Sequence, residues 1–199
     1  MTETVGATDA DAVERIVDVL IAGGVAVLPT DTVYGLAALP DDGDAMARLF
    51  ELKGRAATVP VAVLCATPMQ ALSIAGTVSS SGAILAGQHW PGPLTLVLPR
   101  SADLDWDLGE PRSTIGVRCP DHRLIQRVAE RTGPIAATSA NRHGEPTPST
   151  AAAAAASLTG PVDLVVDGGE IVGSASTVVD ATGPEPTVLR QGPIRIDGG

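Results

Sequence analysis

Val25-Ala26-Val27-Leu28-Pro29-Thr30-Asp31-Thr32 is a short apolar run that breaks at a proline into hydroxyls and a carboxylate. Bounded by Gly23-Gly24 on one side and Pro29 on the other, Val25–Leu28 fits a buried strand. A polar loop directly after an apolar strand is where open α/β sheets present ligand-binding groups. Upstream, Val13, Ile16, Val17 and Leu20 recur at helical spacing, with Thr8 and Asp11 as a capped start and Gly23-Gly24 as the stop. Downstream, Asp44–Leu52 carries Met46, Leu49 and Phe50 on one helical face and delivers Lys53 at its end.

The alternation continues along the chain. Val61–Leu64, Leu94–Leu98, Ile115–Arg118, Ile135–Thr138, Leu164–Val166 and Thr177–Val179 fit strands. Pro68–Ala75, Ser79–Gly87, Asp121–Arg131 and the alanine run Ala151–Ala156 fit helices. Trp90-Pro91-Gly92-Pro93 is a rigid turn, Gly168-Gly169 turns the chain between strands, and Val188-Leu189 precede Arg190. Short joins and the absence of an internal repeat predict one α/β domain over residues 1–199 with a mixed sheet, whose strand order the sequence leaves open.

Composition narrows the function. Thirteen cationic residues against 23 acidic ones give a net charge of −10, which argues against a general nucleic-acid surface but leaves room for a locally basic pocket. Aromatics are only 2% of the chain, so bases stacked on Phe or Tyr platforms are disfavoured and the core must be Ala, Val, Leu and Ile. Cys65 and Cys119 lie far apart without metal-ligand spacing and read as reduced, buried thiols. Neither a secretory signal at Met1-Thr2-Glu3-Thr4 nor a run approaching the ~20 apolar residues of a membrane span is present, so the expectation is a soluble cytoplasmic protein.

Against twelve arginines stands one lysine, Lys53. An ammonium is a compact point charge where guanidinium is a flat fork, and a chain this biased keeps lysine where the fork does not fit. Polar clusters beside apolar strands accompany it: Thr30-Asp31-Thr32, Thr138-Ser139-Ala140-Asn141 and Ser174 to Thr177. Together with Lys53, Arg55, Arg118 and Arg190 they form a kit for holding phosphates and a carboxylate. Turn chemistry alone also favours Ser, Thr, Asn and Asp. The phosphate loop G-x-x-x-x-G-K-[ST], the dinucleotide fingerprint G-x-G-x-x-G after a strand and the hydrolase elbow G-x-S-x-G are all absent. His89, His122 and His143 are isolated and read as surface or loop residues, and Asp103, Asp105 and Asp107 as a solvated acidic turn rather than a calcium loop.

Seven motifs carry a family resemblance. Pro29-Thr30-Asp31-Thr32-Val33-Tyr34-Gly35-Leu36, Lys53-Gly54-Arg55, Trp90-Pro91-Gly92-Pro93-Leu94-Thr95, Ser139-Ala140-Asn141, Asp167-Gly168-Gly169, Ser176-Thr177-Val178-Val179-Asp180 and Leu189-Arg190-Gln191-Gly192-Pro193 occur in this order. Together they resemble the YrdC family of threonylcarbamoyl-AMP synthases, over about Ile16 to Ile194. The resemblance implies a twisted, open, mixed sheet with flanking helices (YrdC/RibB-like, core about 12–194) around a large concave cleft. It implies an enzyme that condenses L-threonine, bicarbonate and ATP to threonylcarbamoyl-AMP with release of pyrophosphate, a nucleotidyltransferase reaction with magnesium accompanying the ATP. The product would pass to a separate tRNA threonylcarbamoyl transferase complex, direct tRNA binding being weak or absent.

Site residues follow from the resemblance position by position. Lys53, Arg55, Ser139 and Asn141 would form the catalytic set, holding the triphosphate and neutralising charge as pyrophosphate leaves. Val59, Thr114, Thr147 and Arg190 match further ATP-contacting positions; Thr32, Arg118, Ala137 and Ser176 match the threonine-binding ones, with Arg118 the partner of the amino-acid carboxylate. No dedicated protein metal site and no covalent nucleophile are expected. Three positions depart from the family pattern: Val59 where many members are polar, Leu64 where some have histidine, and Ala175 in place of glutamate. They bear on affinity and selectivity more than on reaction class. The chain also ends soon after the Arg190 motif, as in the short form of the family. Two other readings remain open at this stage, an RNA-binding module and an enzyme handling a carbamoyl-adenylate on the same fold.

Overall fold

A computed structural model describes residues 2–196; Met1 and residues 197–199, the ends of the expected domain, lie outside the described residues. One ten-stranded sheet runs through the molecule in the order β1-β8-β2-β3-β7-β4-β6-β5-β9-β10. The strands are β1 (Glu3–Gly6), β2 (Ala26–Leu28), β3 (Gly35–Ala38), β4 (Ala62–Leu64), β5 (Leu94–Pro99), β6 (Thr114–Arg118), β7 (Ile135–Ser139), β8 (Leu164–Asp167), β9 (Thr177–Asp180) and β10 (Thr187–Arg190). Pairing is mixed as expected: β1/β8, β2/β8, β4/β6 and β5/β9 are parallel, while β2/β3, β3/β7, β4/β7, β5/β6 and β9/β10 are antiparallel. The helices are α1 (Ala12–Ile21), α2 (Gly43–Lys53), α3 (Pro68–Ser73), α4 (Ser80–His89), α5 (Arg123–Thr132) and α6 (Ala151–Ala156). Among the described residues no helix is long and apolar enough to cross a membrane.

The two-residue period of the strands divides the core between two faces. On one face, Ala26 and Leu28 of β2, Ala37 of β3, Ile135 of β7 and Leu164 and Val166 of β8 pack under α1 and α5. Val13, Ile16, Val17 and Leu20 supply the α1 side of this layer, as their spacing predicts, each worth roughly 1.5–3 kcal/mol when fully buried. The alternate residues, including Val25, Val27, Leu36, Val63, Leu96 and Val179, pack on the opposite face with Met46, Leu49 and Phe50 of α2. Because α1 and α5 cover only the β8-β2-β3-β7 half of their face, the β4-β6-β5-β9 half is left as an open concave floor.

Several expectations need correction. The start of α1 has no side-chain cap: Asp11 sits at the N-cap position without a capping bond, and Thr8 lies outside the helix, in a turn. β1, β3 and β10 are additional strands. Gly168-Gly169 begins no hairpin, because β8 and β9 stand seven strand spacings apart. The connection instead crosses the concave face as a strap, with Gly173 against Thr32 and Ala175 and Ser176 on the cleft wall.

Tyr34 pins the strap's first turn. Its hydroxyl donates to the Gly169 carbonyl at 2.6 Å and accepts from the Gly168 amide at 3.0 Å, with the ring fully buried. Further along, the Ile171 amide donates to Ser149 O at 2.8 Å, and a Cβ on Gly173 would run into the Thr32 carbonyl oxygen. Tyr34→Phe should lower unfolding free energy by about 1–3 kcal/mol, the cost of stranding a buried donor and acceptor. Urea unfolding checks this; an unchanged midpoint would mean the hydroxyl contacts contribute nothing.

Candidate active site

The open half of the concave face holds a cleft of about 590 Å³, within the range of small-molecule sites. Its residues come from both ends of the strands: Ser139 ends β7, Arg118 ends β6, and Ser176 precedes β9. The strand-end clusters of the sequence therefore meet in the concave cleft that the resemblance implies. Ala62, Gly116 and Ala137 make the floor from the smallest side chains, which gives the cleft its depth.

The end of α2 builds one side. Asp42 caps the helix start by accepting from the amides of Asp44 (3.1 Å) and Ala45 (3.0 Å). The helix stops at Gly54, whose φ of 62° is a left-handed conformation that costs glycine little. That turn lets Lys53, the last helical residue, and Arg55, the residue after the turn, face the same cleft. Lys53 is 2% exposed. Its ammonium donates to the Ser139 carbonyl, to Ser139 Oγ at 3.1 Å and to Asn141 Oδ1 at 2.6 Å. Burial, and then the charge of Arg55, pull its pKa down to about 7. Asn141 is oriented by donating Nδ2 to the carbonyls of Arg142 (2.9 Å) and Glu145 (2.5 Å).

Arg55 is held by main chain. It donates to the carbonyls of Val59 and Pro60, both at 2.6 Å, and to Thr138 Oγ1 at 3.2 Å, with its guanidinium 5.9 Å from the Phe50 ring. Its Nε is sealed from solvent without a partner, and burial lowers its pKa.

The opposite side gathers around Arg118. Nε donates to Gly92 O at 3.1 Å, Nη1 to Thr32 Oγ1 at 2.9 Å and Nη2 to Asp31 Oδ1 at 2.5 Å. Asp31 Oδ2 in turn accepts the Asp121 amide at 3.1 Å. Thr30 shapes the loop by accepting the Thr32 and Val33 amides, each at 3.2 Å, and donating to Val33 O at 2.6 Å. Next to Arg118, Ser176 Oγ meets Thr95 Oγ1 at 2.8 Å and accepts from Arg190 Nη2 at 3.1 Å. Burial and the nearby charge of Arg118 lower the Arg190 pKa, so these two cations share one field.

Ten of the twelve expected site residues line the cleft; Val59 and Thr147 do not. Val59 acts through its carbonyl on Arg55, and Thr147 stands behind Asn141, its hydroxyl 3.5 Å from Oδ1. Leu64 and Ala175, two of the departing positions, are on the wall. Asp31 and Thr95 are missed by the site expectation, although both fall inside quoted motifs, because their partners lie 87 and 81 residues away. Cys65 and Cys119 are free and buried, their thiols pushed up to about 12 and about 11 mainly by burial, which suits inert packing. His122 differs from a surface histidine: half-buried at the N-cap of α5, it keeps Nδ1 unpartnered and away from solvent. Among the described residues, no group of three or more His, Cys, Asp or Glu could hold a metal ion.

A family model for Sua5, YciO and YrdC proteins, described as telomere recombination, matches residues 18–192. The chain belongs to this family. It is 37% identical over 199 residues to a putative threonylcarbamoyl-AMP synthase of Mycobacterium tuberculosis, covering 98% of this chain and 92% of that one. The crystal structure of Pyrococcus abyssi Sua5 complexed with L-threonine superposes with a TM-score of 0.88 at 35% identity, covering 96% of this chain. The chain spans only 57% of that archaeal protein. Escherichia coli YciO superposes with a TM-score of 0.84 at 28% identity, covering 97% of this chain and 95% of YciO.

Asp31 is the counter-ion that makes a buried Arg118 tolerable, the two side chains being 12% and 6% exposed. Asp31→Ala should therefore destabilise the fold by about 3–5 kcal/mol, since it leaves a buried charge unpaired. Chemical denaturation measures this, and a loss under about 1 kcal/mol would mean water replaces the carboxylate.

Proposed function

We propose that this chain is an L-threonylcarbamoyladenylate synthase. It condenses L-threonine, bicarbonate and ATP to threonylcarbamoyl-AMP and releases pyrophosphate, a nucleotidyltransferase reaction. The observation that carries the reading is a single cleft with two different cationic ends. At one end Lys53 and Arg55 have no carboxylate partner among the described residues; at the other Arg118 is neutralised by Asp31 and framed by hydroxyls. The family membership and the names of the relatives support the same reaction.

The triphosphate belongs at the Lys53 end. All three ammonium donors are engaged, and the longest contact, to the Ser139 hydroxyl at 3.1 Å, is the one a phosphate oxygen replaces most readily. That hydroxyl then turns and donates to phosphate itself. Arg55, on the cleft wall beside it, offers its charge. Threonine belongs at the Arg118 end. Three of the five guanidinium N–H groups are engaged by Gly92, Thr32 and Asp31, which leaves two for the amino-acid carboxylate. Arg190, bonded to Ser176 and felt electrostatically by Arg118, is the cation between the two ends.

Chemistry follows from placement. The threonine amine attacks carbon dioxide formed from bicarbonate, and the carboxylate so made attacks the α-phosphorus as pyrophosphate departs. Holding the reactants in line and neutralising the developing charge are the protein's share, with no covalent nucleophile needed. The residues do not form a magnesium cage of their own; the only acidic side chain on the cleft wall among the described residues is Asp180. Magnesium would accompany the triphosphate as part of the ATP substrate and would help neutralise its charge. The product passes in the cytoplasm to a tRNA threonylcarbamoyl transferase, and a net charge of −10 keeps direct tRNA binding weak.

Pyrophosphate release from ATP should require both threonine and bicarbonate and yield an adenylate with the threonylcarbamoyl mass. Turnover without threonine would contradict the reading and favour a carbamoyl-adenylate enzyme. Lys53→Ala should still fold, though less stably because the Ser139 and Asn141 acceptors lose their donor, and should lower turnover by about a hundredfold or more, with Lys53→Arg restoring it only in part. Wild-type turnover in folded Lys53→Ala protein would remove Lys53 from the mechanism.

A further inference from the structure

Five strands place one residue each in a lateral row across the cleft: Ala137 of β7, Ala62 of β4, Gly116 of β6, Val97 of β5 and Asp180 of β9. At about 4.8 Å per strand the row is about 19 Å long. Its middle is small and apolar, and its far end is a carboxylate. Among the described residues Asp180 is the one acidic side chain lining a cleft whose other charged groups are cations. Its Oδ1 accepts from the amide (2.9 Å) and hydroxyl (2.6 Å) of Thr182, which fixes the side chain. Within the described residues neither carboxylate oxygen has a cationic partner.

A negative charge on the wall of a triphosphate site repels phosphate. What it can favour is a part of the ligand that donates hydrogen bonds and carries no negative charge. Its neighbours on the wall are apolar, Val97, Val178 and the half-exposed Leu189, which suits a nucleoside rather than a phosphate. A carboxylate only accepts, and the vicinal hydroxyls of ribose are paired donors. Carboxylate-to-ribose hydrogen bonds are an established way of reading a 2′-hydroxyl on other folds. We propose that Asp180 recognises the ribose hydroxyls of the nucleotide, so that the β9 end of the cleft is the nucleoside subsite. The proposal rests on the synthase reading and specifies its nucleotide selectivity.

Calorimetric binding of ATP, 2′-deoxy-ATP and 3′-deoxy-ATP, with magnesium in excess, tests it. Wild-type protein should bind ATP about tenfold or more tightly than at least one deoxy analogue, because a polar group built for a hydroxyl is left unpaired without it. In Asp180→Ala that ratio should fall toward one, chiefly by weakening ATP. Asp180→Asn keeps an acceptor for Thr182 and should give an intermediate ratio; it decides the question if Asp180→Ala does not fold. An unchanged ratio in the variants overturns the proposal, as does an ATP deficit that extra magnesium restores, which would put the metal rather than ribose at Asp180. Wild-type protein that binds ATP without discriminating overturns this proposal alone, whereas wild-type protein that binds no ATP overturns the synthase reading with it.

Discussion

A single buried ammonium ties this structure together. Lys53 closes α2, and its three oxygen acceptors all belong to the segment that leaves β7, so one side chain fastens a helix to the centre of the sheet. The main chain repeats the link, the His143 amide donating to Lys53 O at 3.0 Å. Around this point the loop after β7 wraps into a fixed shape, with Asn141 accepting from Lys53 and donating to the two carbonyls that follow. A cation taken out of water is costly unless well solvated by its neighbours. The structure holds that cost at the wall of a cleft, where three oxygen acceptors solvate the ammonium.

The cleft exists because two helices cover only half of one sheet face. α1 and α5 bury the β8-β2-β3-β7 side, and the remaining strands expose Ala62, Gly116 and Val97 instead of large apolar groups. Large side chains there would fill the space. The strap between β8 and β9 then crosses the concavity and brings Ala175 and Ser176 to the wall beside Thr95. Fixed at Tyr34 and packed on Thr32, it belongs to the same construction as the loop that frames Arg118.

Local signals in the sequence were enough for α1, α2 and most strands, because helical spacing and short apolar runs are short-range facts. β3 escaped notice because Gly35-Leu36-Ala37-Ala38 is buried on both faces and so shows no alternation. β1 escaped because Glu3–Gly6 is mostly polar, at the sheet's edge. Lys53 stood out by being alone among arginines, and its motif partners Ser139 and Asn141 do meet it. The roles of Asp31, Thr95 and Asp180 were not legible, since each depends on strands brought together from distant sequence. Val59 and Thr147 were placed at the site by resemblance, and the geometry sets them one layer behind it.

Because Lys53 is the only lysine, lysine-selective labelling gives one side-chain resonance, and its titration by NMR reports the cleft directly. In the empty cleft it should titrate near 7, far below the usual 10.5, through burial and the charge of Arg55. Binding of ATP should move that titration upward, since a triphosphate favours the ammonium over the neutral amine. A lysine that titrates near 10.5 in the empty cleft and ignores ATP would contradict the account: the ammonium would then be solvated, and the triphosphate would lie elsewhere.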